Sequence, residues 1–490
     1  MHDYTNNPPI LYADDFAVHE NIAWRVEPAR KHEANPLLAP EHPWESAAPC
    51  VGHGTILKDP LDGWFKGWVI AVEDDPDYTG GPLAYRLVYI RSEDGVQWER
   101  PSLDLCPFGD HARTNVLFDF DSGGPTTYAS VLIDPAHEEP YEMYCFRHPF
   151  KHSDQCRVAG FGPDAGPQRD LYRYRSQDGI HWRADAGPIA LASADTAYIH
   201  RDPDGQYVCH HKYSMRMHPG GRVPYDAAPD NLRVGWMSRS ENGLDWTPSV
   251  PNLVPDWLDA PGDQIMEVGR YPYNDGYIGV TAIYHGTHQT MDVQLAVSPT
   301  GKPICTYPPY SDPGWWRPSR RSALDLEPLG EFGGGLIWPT RTLVEDGDEL
   351  VLFYGAVEGL HGELYADRPH MLHFYSALCR ASWTKGRLFA AVVASGGLRE
   401  GVLVTPPLEG VAGKRLIVNA VTDQGGVLTA ELRTGDNNAV PGFTVDDCRP
   451  LHGDHKHATM VWQGGEQCPS DSVKLRFTMK RARLYGYAWE

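Results

Sequence analysis

The phrases RSEDGVQW (91–98), RSQDGIHW (175–182) and RSENGLDW (239–246) spell one eight-residue pattern three times. Each follows or closes a short alternating run: AYRLVYI (84–90), DLYRYR (170–175) and NLRVGWM (231–237). Alternation marks a half-buried strand, and Asp-Gly or Asn-Gly after it marks a tight hairpin, expected here as a type I′ turn. Degenerate copies are VQLAVSPTGKPI (293–304) and HFYSALCRASWTKGRLF (373–389), the latter turning at Lys385-Gly386. The starts are separated by 84, 64 and about 58 residues, room for four strands with their loops.

A second pattern runs in phase with the first and precedes each copy. Its members are HGTILKDPLDGWFKGWVIAV (53–72), YASVLIDPAHEEPYEMYCF (128–146), TAYIHRDPDGQYVCHHKYS (196–214), EVGRYPYNDGYIGVTAIYH (267–285) and LIWPTRTLVEDGDELVLFYGA (336–356). Two hairpins per unit and five units make five four-stranded sheets. The expected fold class is therefore all-β, a five-bladed β-propeller, with a large irregular β-sandwich as the competing architecture. Beyond Gly386 the repeat stops, and about seven alternating strands at roughly 8 to 12-residue spacing predict a jelly-roll-like β-sandwich. The domain reading is residues 1–385 as the propeller with an amino-terminal extension and 386–490 as an accessory sandwich, which either binds carbohydrate or buttresses the propeller.

Composition narrows the function. With 65 acidic against 43 basic residues the formal charge is −22, which repels phosphate backbones and anionic lipid, so neither nucleic acid nor membrane is expected as a partner. No basic-then-apolar leader opens the chain and no run of roughly 18 apolar residues occurs, so a cytoplasmic location is expected. Nine cysteines without a CxxC pair predict buried free thiols. The CHH at 209–211 and HKH at 455–457 place neighbouring side chains on opposite strand faces, so no metal site and no cofactor is expected. The 15 Trp and 25 Tyr serve β cores or sugar-stacking surfaces; Trp64, Trp257 and Trp338 are candidates for the second role.

Acids repeated at equivalent sites read as turn chemistry, because one active site does not need its acid three times. Asp59, Asp134 and Asp202 recur in the D-P hairpins, and Asp94 and Asp178 in the eight-residue phrase, whose third copy substitutes Asn242. Acids set before an apolar strand read differently. Counting eight residues back from the hairpin proline gives Asp195 from Pro203, and Gln264, flanked by Asp263 and followed by Glu267, from Pro272. The same offset gives Thr127 from Pro135 and Gly52, beside His53, from Pro60. The alternatives are a loop cap for Asp195 and pairing with Arg270 for Asp263 or Glu267.

The succession of these hairpins, followed by LIVNA, GGVLTAEL, PGFTVDDC and LYGY, resembles bacterial proteins described as glycoside hydrolase family 32-like, across nearly the whole chain. They are related by fold to families 32, 43 and 68. The resemblance implies a funnel at one end of the propeller axis holding three carboxylates: a nucleophile or base, a transition-state stabiliser and a general acid. The family 32 phrases W-M-N-D-P-N-G and E-C-P are absent, so those residues do not transfer by position. The catalytic candidates are Asp195, Glu267, Asp263 and, near the funnel by the resemblance, Glu45; the substrate-binding candidates are His53, Gln264, Glu331, Trp338, His285 and His361. The expected activity is hydrolysis of a glycosidic, furanosidic bond in an oligosaccharide or glycoside. Transglycosylation at the same site and non-catalytic carbohydrate binding are the alternatives. Nothing in the sequence addresses the oligomeric state.

Overall fold

The computed structural model describes residues 9–50, 52, 54–73, 84–118, 127–147, 170–191, 197–216, 231–260, 262–274, 276–299, 315–340, 342–361 and 375–490. Among them the only helical pieces are two three-residue 3₁₀ turns, Ala13–Asp15 and Pro43–Glu45; everything else regular is strand. The chain divides into two compact units. One comprises Ala29–Asp346 and Leu350–Ser382, the other the chain up to Pro28, Gly347–Glu349 and Trp383–Glu490.

In the larger unit the described strands form four sheets, the last of which divides at one parallel bridge into two antiparallel runs, so that five groups follow in chain order. The first begins with Thr55–Lys58 and continues through Phe65–Glu73, Ala84–Ser92 and Trp98–Glu99. The second runs from Thr127–Ile133 to Arg183–Ile189, and the third from Ala197–Arg201 to Val250–Leu253. The fourth comprises Asp263–Tyr273, Gly276–His285 and Thr290–Pro299, with bridges from Val297 to Trp316 and from Val293 to Leu324 at its outer edge. The fifth comprises Leu336–Pro339, Glu349–Val357 and Ser376–Thr384. Central strands such as Phe65–Glu73 and Glu349–Val357 are buried on both faces because neighbouring groups cover both.

Small hydroxyl side chains hold the first strands of neighbouring groups together. Thr55 donates to the Ala129 carbonyl at 2.9 Å and accepts from the Val131 amide at 3.0 Å. Ser130 does the same with the Ala197 carbonyl, at 3.3 Å, and the Ile199 amide, at 3.0 Å. Met291 of the fourth group pairs in parallel with Leu336 of the fifth, and Val344–Asp346 of the fifth packs on Thr55–Lys58 of the first. Gly52, at φ +85°, lies so close to the fifth group that a Cβ there would stand 2.0 Å from the Trp338 carbonyl oxygen. Strands Tyr207–Arg216 and Asn231–Ser240 of the third group pack on Asp263–Tyr273 of the fourth, so each group touches the next and the fifth touches the first, in a ring of contacts.

The aspartates of the D-P hairpins do more than turn the chain. Asp59 accepts from the Leu61 amide at 2.8 Å and also from the Tyr141 hydroxyl of the second group at 2.6 Å. Asp134 accepts from Arg201 of the third group at 2.9 Å, and Asp202 lies 3.1 Å from Arg270 of the fourth. Tyr271 donates to Glu345 of the fifth, and Lys58 of the first lies 3.4 Å from Asp346, also of the fifth. Every neighbouring pair of groups is therefore joined by a polar contact where the first strands end.

Three sequence expectations are corrected. The eight-residue phrase is not a type I′ turn, which needs two residues at positive φ; only Gly95, Gly179 and Gly243 have it, at +70°, +76° and +74°. Instead Asp94, Asp178 and Asn242 each accept from the two amides ahead, at 2.7 to 2.9 Å, while Ser92, Ser176 and Ser240 each accept from the glycine amide at 2.9 Å. One oxygen suffices for the turn, which is why Asn serves in the third copy. Second, the strand after Lys385-Gly386 does not return to the fifth group. Phe389–Val393 joins the other unit, and the fifth group takes its outer strand from Arg30–Lys31 through Ala381 and Ser382. Third, the amino-terminal segment up to Pro28, placed with the propeller by the 1–385 boundary, clusters with the carboxy-terminal unit, because Val18–Glu20 pairs with Gly401–Val404 and Ile22–Val26 with Phe389–Val393.

The smaller unit is built on two 18-residue strands, Leu416–Arg433 and Ser472–Trp489, paired antiparallel with a register shift between Thr422 and Val427. In the second strand Val473, Leu475, Phe477 and Met479 are buried, then Lys480 and Arg481 are exposed, and burial resumes out of phase at Ala482 and Leu484. The phase break at Arg481, φ +46°, bends the pair so that both halves of the strand line one apolar core, which they share with Val418, Leu428 and Leu432 of the first strand. All seven described cysteines are buried, as expected of thiols used for packing.

Candidate active site

The strand that opens each group of the ring starts at the same end, and so do the loops that lead into it. At this leading end Asp263 is the first residue of the fourth group's opening strand, and register places it opposite His285, the last residue of the next strand. Asp263 Oδ1 lies 2.7 Å from His285 Nδ1, and Asp292 Oδ2 lies 3.3 Å from Nε2 on the other side of the ring. Burial pulls the His285 pKa down, but hydrogen bonds to the two carboxylates more than reverse this and raise it to about 10. At neutral pH the group is an imidazolium donating from both nitrogens, and Asp263 also accepts from the Ala260 amide at 3.1 Å.

The next rung pairs Gln264 with Tyr284 on the other face of the sheet, and side chains converge there from the third, fourth and fifth groups. Gln264, fully buried, accepts from Arg233 at 3.0 Å. Tyr284 meets the His361 ring at 4.8 Å between centroids, and Trp338 meets it at 6.3 Å. The His361 amide donates to the carbonyl of Gln289, which sits at φ +60° in the turn after His285. Gln264 Nε2, Gln289 Oε1 and Asp292 Oδ1 are buried without a protein partner among the described residues. Buried polar atoms carry a desolvation cost when unmatched, so these three atoms suit a polar ligand or an ordered water.

Glu267 lies on the same strand past a β-bulge between Ile265 and Glu267 and is only 4% exposed. The bulge lets Ile265 and Val268, three residues apart, enter one apolar cluster, with Met266 assigned to another alongside Tyr284 and Trp338. Arg270, the alternative partner weighed for Asp263 and Glu267, is engaged by Asp202.

Glu45 goes elsewhere. It ends the Pro43–Glu45 turn, fully buried, 2.8 Å from Arg100, which follows the outermost strand of the first group and also holds Glu41 and the Ala39 carbonyl. Burial raises its pKa against the opposing pull of Arg100. Its visible work is to fasten the 39–45 segment to the outer edge. Glu331 is exposed in the turn ahead of Leu336, and Trp338 is mostly buried in the cluster of Met266 and Tyr284. Trp64 lies under the Arg91 guanidinium at 4.8 Å, by the D-P hairpin and away from the leading end. Asp195 and His53 lie outside the described residues.

Among the described residues no group of three or more His, Cys, Asp or Glu is arranged to hold a metal ion. In the CHH run, His210 binds Asn252 at 2.8 Å and His211 binds Ser249 at 2.9 Å, each through its own strand face. Asp292, Gln289 and Arg233 were not singled out in the sequence. For Asp292 a signal existed: an acid inside the alternating run TMDVQLAV.

No family model matches the chain, and no curated protein matches it. Solved structures similar to it include a putative glycosidase from Bacteroides thetaiotaomicron VPI-5482, at 14% identity and a TM-score of 0.46, covering 73% of this chain and 96% of that one. A β-1,2-mannobiose phosphorylase from Listeria innocua is similar at 13% identity and TM-score 0.46, over 74% of this chain and 98% of that one. A thermostable family-43 glycoside hydrolase is similar at 13% identity and TM-score 0.40, over 68% and 89%. Likeness at this level concerns the general all-β arrangement and carries nothing about activity.

Proposed function

We propose that the protein is a glycoside hydrolase acting on a neutral, furanosidic sugar at the leading end of the ring. The observation that carries this reading is the Asp263–His285–Asp292 triad, with buried, unmatched polar atoms of Gln264 and Gln289 on the adjoining rung and turn. Glycosidic cleavage needs one carboxylate kept ionised and one carboxyl able to give a proton. Asp263, 2.7 Å from His285, is assigned the first role. Glu267, buried on the same strand, is assigned the proton donor, and Asp195, at the equivalent point of the third group by sequence offset, the third carboxylate. The amides of Gln264 and Gln289 suit sugar hydroxyls, which both donate and accept. The sequence resemblance to family 32-like proteins supports the same class.

The test is hydrolysis of 4-nitrophenyl furanosides, and of fructose-, arabinose- and galactofuranose-containing oligosaccharides, by the wild type and by Asp195→Asn, Asp263→Asn and Glu267→Gln. Wild-type turnover with losses of orders of magnitude in the variants, binding retained, supports the reading. Sugar binding with no turnover in the wild type replaces it by a carbohydrate-binding ring.

A further inference from the structure

The most exposed aromatic side chain of the described residues is Trp257, at 84%, next to Leu258 at 52%. Both sit in the segment that crosses the leading end from Val250–Leu253, the outer strand of the third group, to Asp263, the first residue of the fourth. An indole this far from any core contributes nothing to folding, yet the segment that carries it is held firmly. Asp259 makes a two-point ion pair with Arg317, at 2.7 and 2.5 Å, both side chains almost wholly buried. Asp256 pairs with Arg320 and accepts from the Leu258 amide at 2.9 Å, and its own amide donates to Asp259 at 2.7 Å. Burying such ions is costly, and geometry this complete is the arrangement in which they fix a backbone rather than merely tolerate burial.

From these observations we infer that Trp257 is the platform of a second sugar-binding subsite, on which a ring of the substrate beyond the bond being cleaved stacks its C–H face. This rests on the glycosidic reading of the Asp263 site. Trp257 stands six positions before Asp263, so at most about 20 Å of extended chain lies between them, the span of a few sugar rings. An indole face offers a large apolar surface with little conformational entropy to lose, and the two ion pairs on either side remove what the loop would have lost. The neighbouring acids are already engaged by arginines, so the platform favours a neutral ring over a cationic one.

The experiment compares wild type, Trp257→Ala and Trp257→Phe on 4-nitrophenyl arabinofuranoside and fructofuranoside and on arabinose and fructose oligosaccharides of two to five units, with calorimetric binding of the same oligosaccharides. The readout is the ratio of kcat/KM between oligosaccharide and aryl monoglycoside. Trp257→Ala is expected to lower that ratio about tenfold or more, with partial rescue by Phe, while Leu398→Ala, an exposed leucine of the smaller unit, leaves it unchanged. A wild type that cleaves but whose ratio is unmoved by Trp257→Ala overturns the subsite and leaves the hydrolase reading standing. A wild type that binds oligosaccharide without cleaving, and loses binding with Trp257→Ala, sustains the subsite and overturns the hydrolase. If the wild type neither cleaves nor binds, both are wrong.

Discussion

Asp263 and His285 close a cross-strand pair at the first rung of the fourth group, 2.7 Å from oxygen to nitrogen, and Asp292 on the next strand grips the same imidazole from its far side. The arrangement places a fixed positive charge between two acids at the one end of the ring where the opening strands begin.

Removing the carboxylates should separate their roles. Asp263→Asn is expected to reduce glycosidase turnover by about 10²-fold or more, as loss of a carboxylate acting directly does. Asp292→Asn, which keeps an amide oxygen at the site but weakens the grip on His285, is expected to lower kcat less and to shift the pH profile, since His285 then titrates nearer its ordinary value. Equal losses with unchanged profiles in the two variants would refute a positioning role for Asp292.

The raised His285 pKa has a consequence for stability. A group whose folded pKa lies above its unfolded value stabilises fully below the unfolded value, 6.5, and the contribution disappears as pH rises through about 10. Thermal melting should therefore weaken between about pH 7 and 10, and His285→Gln should flatten that part of the curve. A wild-type curve parallel to that of His285→Gln over this range counts against the imidazolium.

The repeated phrase supplies an acid-side counterpart. Burial pushes the Asp178 pKa up, but backbone and side-chain hydrogen bonds outweigh it and bring the group down to about 2. Its contribution is present above the unfolded value, 3.8, and is lost as pH falls through about 2. Asp178→Asn should keep the turn, as Asn242 does, and leave turnover unchanged, whereas Asp178→Ala should cost about 1 kcal/mol in urea unfolding. A collapse of activity in Asp178→Asn would return the phrase to the catalytic motifs.

Ring closure depends on Gly52. An alanine there combines a positive φ with a Cβ 2.0 Å from the Trp338 carbonyl oxygen, so Gly52→Ala should lose about 3 kcal/mol or more. Urea denaturation monitored by tryptophan fluorescence measures it; a loss below about 1 kcal/mol would show that the fifth and first groups separate easily.

Asp202 and Arg270 form a buried ion pair within the polar belt. Asp202→Ala leaves Arg270 buried without its carboxylate, and breaking a buried pair from one side costs about 3–5 kcal/mol. The double change Asp202→Ala with Arg270→Met should recover part of that loss, and failure to recover any would mean that His200 and Arg239, which also face Asp202, carry the effect.

Much of the fold is legible in the sequence because its signals are local. Alternation of period two, Gly at positive φ after Asp or Asn, and Pro in the upstream hairpins belong to a few consecutive residues, so they mark strands and turns without knowledge of their neighbours. Recurrence of Asp94 and Asp178 with Asn242 likewise separates turn acids from candidate catalytic ones, and the hairpin offset leads to Asp263 and Gln264. The turn type departs from expectation because Asp-Gly serves two geometries, and only the acceptor role of the Asp oxygen distinguishes them.

What the amino-acid order determined, then, is the repeat, the phase of each hairpin and the residues that stand at the head of each strand. Only the tertiary structure decided that Arg30–Lys31 completes the fifth group, that Val18–Glu20 and Ile22–Val26 build onto the carboxy-terminal strands, that Glu45 binds Arg100, and that His285 is shared by Asp263 and Asp292. Each of those depends on register or on packing between segments far apart in the chain, where the energy lies in contacts that no local pattern encodes.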